Sequence, residues 1–266
     1  METAARPSPR QRSLAPKEHG AYGQLGLPMI AALGAGRPGM VAVLLGASAW
    51  ALFLAHEPVL VLLGRRGERP KVEQRSRAIG RLAALALTGA ILGVAGLVLA
   101  PPPVRSAVIL PAILGAAFAA TLVLGQERSL VGEGLAALAL SGVSFPLGIA
   151  VGLMPGAAAR AWCVWALGFG VLLVPVRSIG ARRRATTSVL TRSFPVLLVC
   201  GTALVLLRER LGGGHLLALA PLVLAAGWLA LAPPPPKALP RVGWTVVGAC
   251  LLTTAVLIGV ARTGAA

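Results

Sequence analysis

Long apolar runs, separated by short charged or Pro/Gly-rich interruptions, dominate the chain. Nine such runs stand at about 21–36, 40–63, 82–100, 106–125, 131–153, 161–179, 189–207, 214–232 and 242–261. About 20 apolar residues wound as a helix cross the hydrocarbon core of a bilayer, so each run predicts a transmembrane helix, the first being short. The interruptions are good helix terminators: Arg37-Pro38-Gly39, the basic stretch Gly64 to Arg81, Pro101-Pro102-Pro103, Pro155-Gly156, Gly212-Gly213-Gly214 and Pro233 to Pro236. Small residues recur at interval four within the runs, as in Gly89 with Gly93, Gly148 with Gly152, and Ala139 with Val143 flanking Ser141 and Gly142. Such faces let helices approach closely in lipid.

Composition agrees with the pattern. Of the 266 residues 56% are hydrophobic and only 12% charged, whereas a soluble domain carries about 25% charged residues. An ordinary soluble protein is excluded. The predicted fold is all-α, a polytopic membrane protein of about nine transmembrane helices. Residues 1–15, rich in Arg, Pro and Ser, predict a disordered basic cytoplasmic tail, and residues 16–266 a single transmembrane domain.

The formal charge of +17 suggests a nucleic-acid partner in a soluble protein. In a membrane protein basic residues collect in cytoplasmic loops, and no nucleic acid is implied. With the N-terminus inside, the inner segments hold 19 of the 25 Lys and Arg, including seven from Arg65 to Arg81 and five from Arg177 to Arg192. The outer segments hold six: Arg37, Arg105, Arg160, Arg208, Arg210 and Arg262. This bias predicts a cytoplasmic N-terminus and an extracytoplasmic C-terminus. Ala31 to Ala35 imitate a signal-peptidase site, but eight further spans favour an uncleaved first helix.

The chemistry-bearing residues are few. There is no aspartate, and all eight acids are glutamates. Cys163, Cys200 and Cys250 lie in apolar runs without CxxC spacing and predict packing residues, and His19, His56 and His215 are dispersed. Four polar clusters stand out. Glu18-His19, with Tyr22 and Gln24, opens the first run, where Gln24 falls nearly a turn into the apolar zone. His56-Glu57-Pro58 interrupts the second run, and an ionisable pair at membrane depth needs a partner or a polar cavity. The basic loop that follows carries Arg65, Arg66 and Arg69; the sixth run ends on Arg177, with Arg182 beyond it. Two arginine-rich exits on one face make a positive vestibule suited to phosphate. Glu127, Arg128 and Glu133 read as solvated loop charges.

The segment Lys17-Glu18-His19-Gly20-Ala21-Tyr22, followed by Leu25 and Pro28, resembles the opening signature of the YwiC-like family of bacterial membrane proteins. The His56-Glu57 region and its basic loop also resemble that family. More distantly, the nine helices and the prominence of the loops after the second and sixth resemble the UbiA superfamily of intramembrane prenyltransferases. That resemblance implies a UbiA-like bundle with a cytoplasm-facing cavity. In that superfamily, Asp-rich motifs at those loops hold magnesium against a prenyl diphosphate. Here His56-Glu57 and Arg177 with Arg182 stand in their place, and no aspartate motif supports magnesium.

The leading expectation is a cavity that binds a prenyl diphosphate or another amphipathic phosphate. In it Arg65, Arg66, Arg69, Arg177 and Arg182 take the phosphates, Glu18, Tyr22 and Gln24 line the ligand, and His19, His56 and Glu57 act as acid/base or orienting groups. Catalysis, if the resemblance extends to it, is prenyl or related group transfer. Two rivals come from other classes: a small-anion or proton-linked transporter, and a non-catalytic membrane partner of a respiratory or lipid-modifying complex.

Overall fold

A computed structural model describes residues 14–15, 19–181, 189–232, 234–235 and 238–263; the expected tail lies outside these residues, apart from 14–15. Among them there are helices and no strand: α1 (His19–Ala35), α2 (Met40–Leu62), α3 (Glu68–Glu73), α4 (Arg75–Leu99), α5 (Pro102–Leu124), α6 (Leu130–Gly142), α7 (Ser144–Ala150), α8 (Pro155–Ala181), α9 (Val189–Leu231) and α10 (Leu239–Thr263). Among the described residues seven stretches are long and apolar enough to cross a membrane: Met40–Leu62, Arg75–Leu99, Pro102–Leu124, Leu130–Ala150, Pro155–Arg177, Glu209–Leu231 and Pro240–Thr263. The chain is a multi-pass, all-α membrane protein. The two other predicted runs are also helical, one as α1 and one as the first part of α9. The 17 residues of α1 rise only about 25 Å, less than the hydrocarbon thickness of about 30 Å.

Three departures from the predicted runs have local causes. Run 131–153 is two helices meeting at Val143, because Pro146 has no N–H to give the carbonyl of Gly142. Runs 189–207 and 214–232 join in the 43-residue α9, which leaves helical geometry at Gly212 (φ 75°, ψ 162°), a conformation that glycine adopts without steric cost. The basic stretch after α2 is partly helical, not a plain loop: α3 is supported by Arg69–Glu73 and Lys71–Glu68 pairs one turn apart.

The helices run back and forth between two ends. The basic end carries the Leu63–Gln74 connection, the Gly125–Ser129 turn and Arg177. The far end carries Ala35, the Val151–Met154 turn, Gly212 and Arg262. The Arg37 N–H donates to Val151 O at 3.0 Å, and Arg262 Nε donates to Gly34 O at 2.9 Å, tying the far-end turns together.

Two large apolar clusters fill the interior, beside a small one of Leu14, Val61 and Ala78. One, from α8, α9 and α10, centres on Trp165, Ile179, Leu222 and Leu229. The other joins α1, α2, α5 and α7 through Leu25, Met29, Phe53, Val104 and Leu147. α4 packs on α2 by its glycine face: Gly89 lies under Leu52, Gly93 under Ser48 and Gly96 under Leu45, and Ser48 Oγ donates to Gly89 O at 2.7 Å. Its other face leaves Leu87, Ile91, Val94 and Val98 exposed. Such a face is costly in water and natural against lipid chains.

Candidate functional site

The last turns of α2 hold the most buried acid of the described chain. Glu57 is 1% exposed, next to Pro58, which frees the carbonyl of the preceding turn. The chain then doubles back. Leu63, Gly64 and Arg65 N–H groups donate to Val59, Val61 and Leu60 carbonyls, and Gly64 (φ 73°) and Gly67 (φ 103°) take the left-handed backbone that side chains resist. This turn returns Arg66 over Glu57. Its Nε donates to Oε1 at 2.9 Å and its Nη2 to Oε2 at 2.5 Å, a two-pronged, charge-assisted pair with the Arg66 side chain 12% exposed.

Around this pair the other candidates fall into place one by one. His56 is half-buried, its ring 5.6 Å from that of Phe118 on α5 and tilted by 32°. Arg65 lies at the end of α5, where its Nη2 donates to Val123 O at 3.0 Å and Leu122 O at 3.4 Å. It thereby satisfies carbonyls that a helix end leaves without partners. Gly125 (φ 72°) leaves room for it: a Cβ there would lie 2.6 Å from Arg65 Nη1. Tyr22 joins α1 to α2, edge-on to Phe53 at 5.0 Å with Trp50 at 6.2 Å. Gln24 is half-buried on α1.

The remaining basic residues are engaged further out. Arg69 donates to Glu73 at 2.6 Å on exposed α3, and the neighbouring carboxylate raises the pKa of its guanidinium above the usual value. Arg177 Nη1 pairs with Glu133 Oε2 at 2.8 Å, bridging α8 to α6, with side chains 40% and 35% exposed. Glu133 is therefore an inter-helix partner, not the solvated loop charge that its sequence position suggests. The structure thus gathers His56, Glu57, Arg65 and Arg66 at the α2–α5 junction and sets Arg177 on the α6–α8 pair. Glu18, Arg182 and the His19 side chain lie outside the described residues.

The residues present do not fit a magnesium–diphosphate centre. Both Glu57 oxygens accept from Arg66, and no group of three His, Cys or acidic side chains comes together among the described residues.

Sequence reading passed over two residues at the far end. By sequence Arg160 is one of the outer topology charges and His215 one of three dispersed histidines, yet both line a cavity there. Their signal was position: Arg160 lies five residues inside a helix opened by Pro155, and His215 directly follows three glycines, the first of which kinks α9.

Among known proteins, the family described as YwiC-like protein matches residues 15–149. No curated protein and no solved structure matches the chain.

Proposed function

We propose that this chain, which belongs to the YwiC-like family, binds an amphipathic anion at its basic end. The ligand class is a prenyl diphosphate or another phosphorylated lipid. In this reading the nine apolar runs cross a bacterial cytoplasmic membrane in a UbiA-like arrangement, with the basic end facing the cytoplasm as the Lys and Arg bias directs. The short α1 and the first part of α9 complete the count. The described chain is read as a single transmembrane domain.

The observation that carries the reading is the Glu57–Arg66 pair. A carboxylate 1% exposed at the end of a membrane helix is costly, and here its cost is offset by one arginine supplied from the next turn. The pair works as a latch that holds the Leu63–Gly67 turn against α2. An incoming phosphate meets Arg65, Arg69 and Arg177 first, whose side chains or residues are exposed, then competes with Glu57 for Arg66. His56 and the aromatic contacts of Tyr22 and Phe53 receive the apolar part. Glu18, His19, Gln24 and Arg182 complete the set in this proposal, and group transfer remains its enzymatic extension.

The test is native mass spectrometry of detergent-purified protein offered polyprenyl diphosphates, with and without magnesium. Retained diphosphate in the wild type, lost by about tenfold or more in the Arg65→Gln/Arg177→Gln double variant, is the expected result. Absence of retention across the panel, or retention indifferent to those changes, overturns the reading.

A further inference from the structure

The far end holds a cavity of about 320 Å³ between α1, α7, α8, α9 and α10. Its size suits a small organic molecule. Most of the wall is apolar, with Pro28, Ala31, Ala32 and Leu257 among its residues. The polar exceptions are Arg160, Trp165, His215 and Ser144. Trp165 is 1% exposed and His215 3% exposed; Trp165 Nε1 and Arg160 Nε have no hydrogen-bond partner among the described residues, while the His215 imidazole also meets the Leu211 backbone.

Those groups are predominantly donors. Indole and guanidinium nitrogens can only donate, and an imidazole donates from at least one nitrogen. Ser144 already donates its proton to Ser141 O at 2.7 Å, which leaves its oxygen as an acceptor. No acidic residue lines the cavity, so Arg160 has no counter-charge within the wall. Buried donors that lack partners in a native structure call for an explanation.

We propose that this cavity binds a small monocarboxylate, its carboxylate facing Arg160 with Trp165 and His215 as further donors, and its short apolar body lying against the alanines of α1. The apolar lining selects this class over an inorganic anion, because chloride or phosphate carries its charge on every side and would turn part of it toward apolar wall without a partner. The site is separate from the one proposed at the basic end: none of Glu57, Arg65, Arg66 or Arg177 lines it.

The test is thermal unfolding of the full chain in detergent, titrated with sodium propionate, butyrate or benzoate and, in parallel, with sodium chloride and phosphate. A saturable rise of the midpoint is expected for the carboxylates alone. Arg160→Gln weakens the apparent affinity by about tenfold or more, and Trp165→Phe, which keeps the ring and removes the N–H, weakens it by a smaller factor. Arg177→Gln, at the basic end, leaves it unchanged. If Arg160→Gln fails to fold, Trp165→Phe alone decides. An equal rise with chloride or phosphate, no saturable rise with any carboxylate, or a rise indifferent to both cavity variants overturns the proposal.

Discussion

At the scale of single residues, the Glu57–Arg66 pair combines high cost with tight geometry. Taking a carboxylate and a guanidinium out of water costs several kcal/mol per ion, and their mutual attraction repays it only while both are present. Glu57→Ala removes the carboxylate that Arg66, at 12% exposure, is paired with and is expected to destabilise the protein by about 3–5 kcal/mol. Arg66→Met leaves the buried carboxylate uncompensated and should cost a similar amount. The double change Glu57→Leu/Arg66→Met is expected to recover most of the loss, because an apolar pair of similar volume carries no desolvation penalty. Thermal unfolding of the four proteins in one detergent measures the coupling. Additive losses, with no recovery in the double variant, would show the two side chains to be energetically independent. The sequence exposed half of this arrangement. A His-Glu-Pro break inside an apolar run announces a paired acid, but seven basic residues follow it within a single stretch. Choosing Arg66 among them depends on the positive φ at Gly64 and Gly67, which is a property of the folded turn.

At the scale of elements, α4 is held to α2 by absence of side chain more than by presence. A Cβ on Gly89 would approach Leu52 Cδ2 to 2.9 Å, and one on Gly93 would approach Ser48 Oγ to 2.9 Å. Gly89→Leu is therefore expected to push α4 outward, break the Ser48–Gly89 hydrogen bond and lower stability by about 1–3 kcal/mol. Gly80→Leu, where a Cβ meets nothing within 4 Å, should be neutral or slightly stabilising and serves as the matched control in the same unfolding assay. Leucine is the better helix former, so helix propensity alone would raise stability in both variants; equal losses would show that contact with α2 does not carry the effect. The Gly89–Gly93 interval was readable from the sequence as a packing face, but its partner was not, because spacing alone does not say which neighbour a small face meets. The same limit applies to α6 and α7. An apolar run of suitable length reads as one helix, and whether Pro146 bends it or divides it is decided by what packs on either side.

At the scale of the whole molecule, the ends were legible and the interior was not. Alternation of basic-rich and basic-poor interruptions separates the two ends of the bundle without reference to any contact. The depth of each polar residue is different in kind, because it follows from how the helices close around it. Arg160 and His215 lie more than fifty residues apart and share a cavity only because α8 and α9 pack together in one apolar cluster. That cluster also bears on transport. From the cavity toward the basic end it continues through Phe169, Leu172, Leu222 and Leu229, each at most 6% exposed, and protein interiors packed this closely leave few voids larger than a water molecule. The cavity is thus a pocket and not a section of an open pore. Protein reconstituted in liposomes and given a propionate gradient is expected to show no channel-like flux above protein-free vesicles, even where propionate binding is measurable. Rapid flux abolished by Arg160→Gln would mean that the apolar core parts to connect the two ends, and would turn the far-end pocket into one station of a transport route.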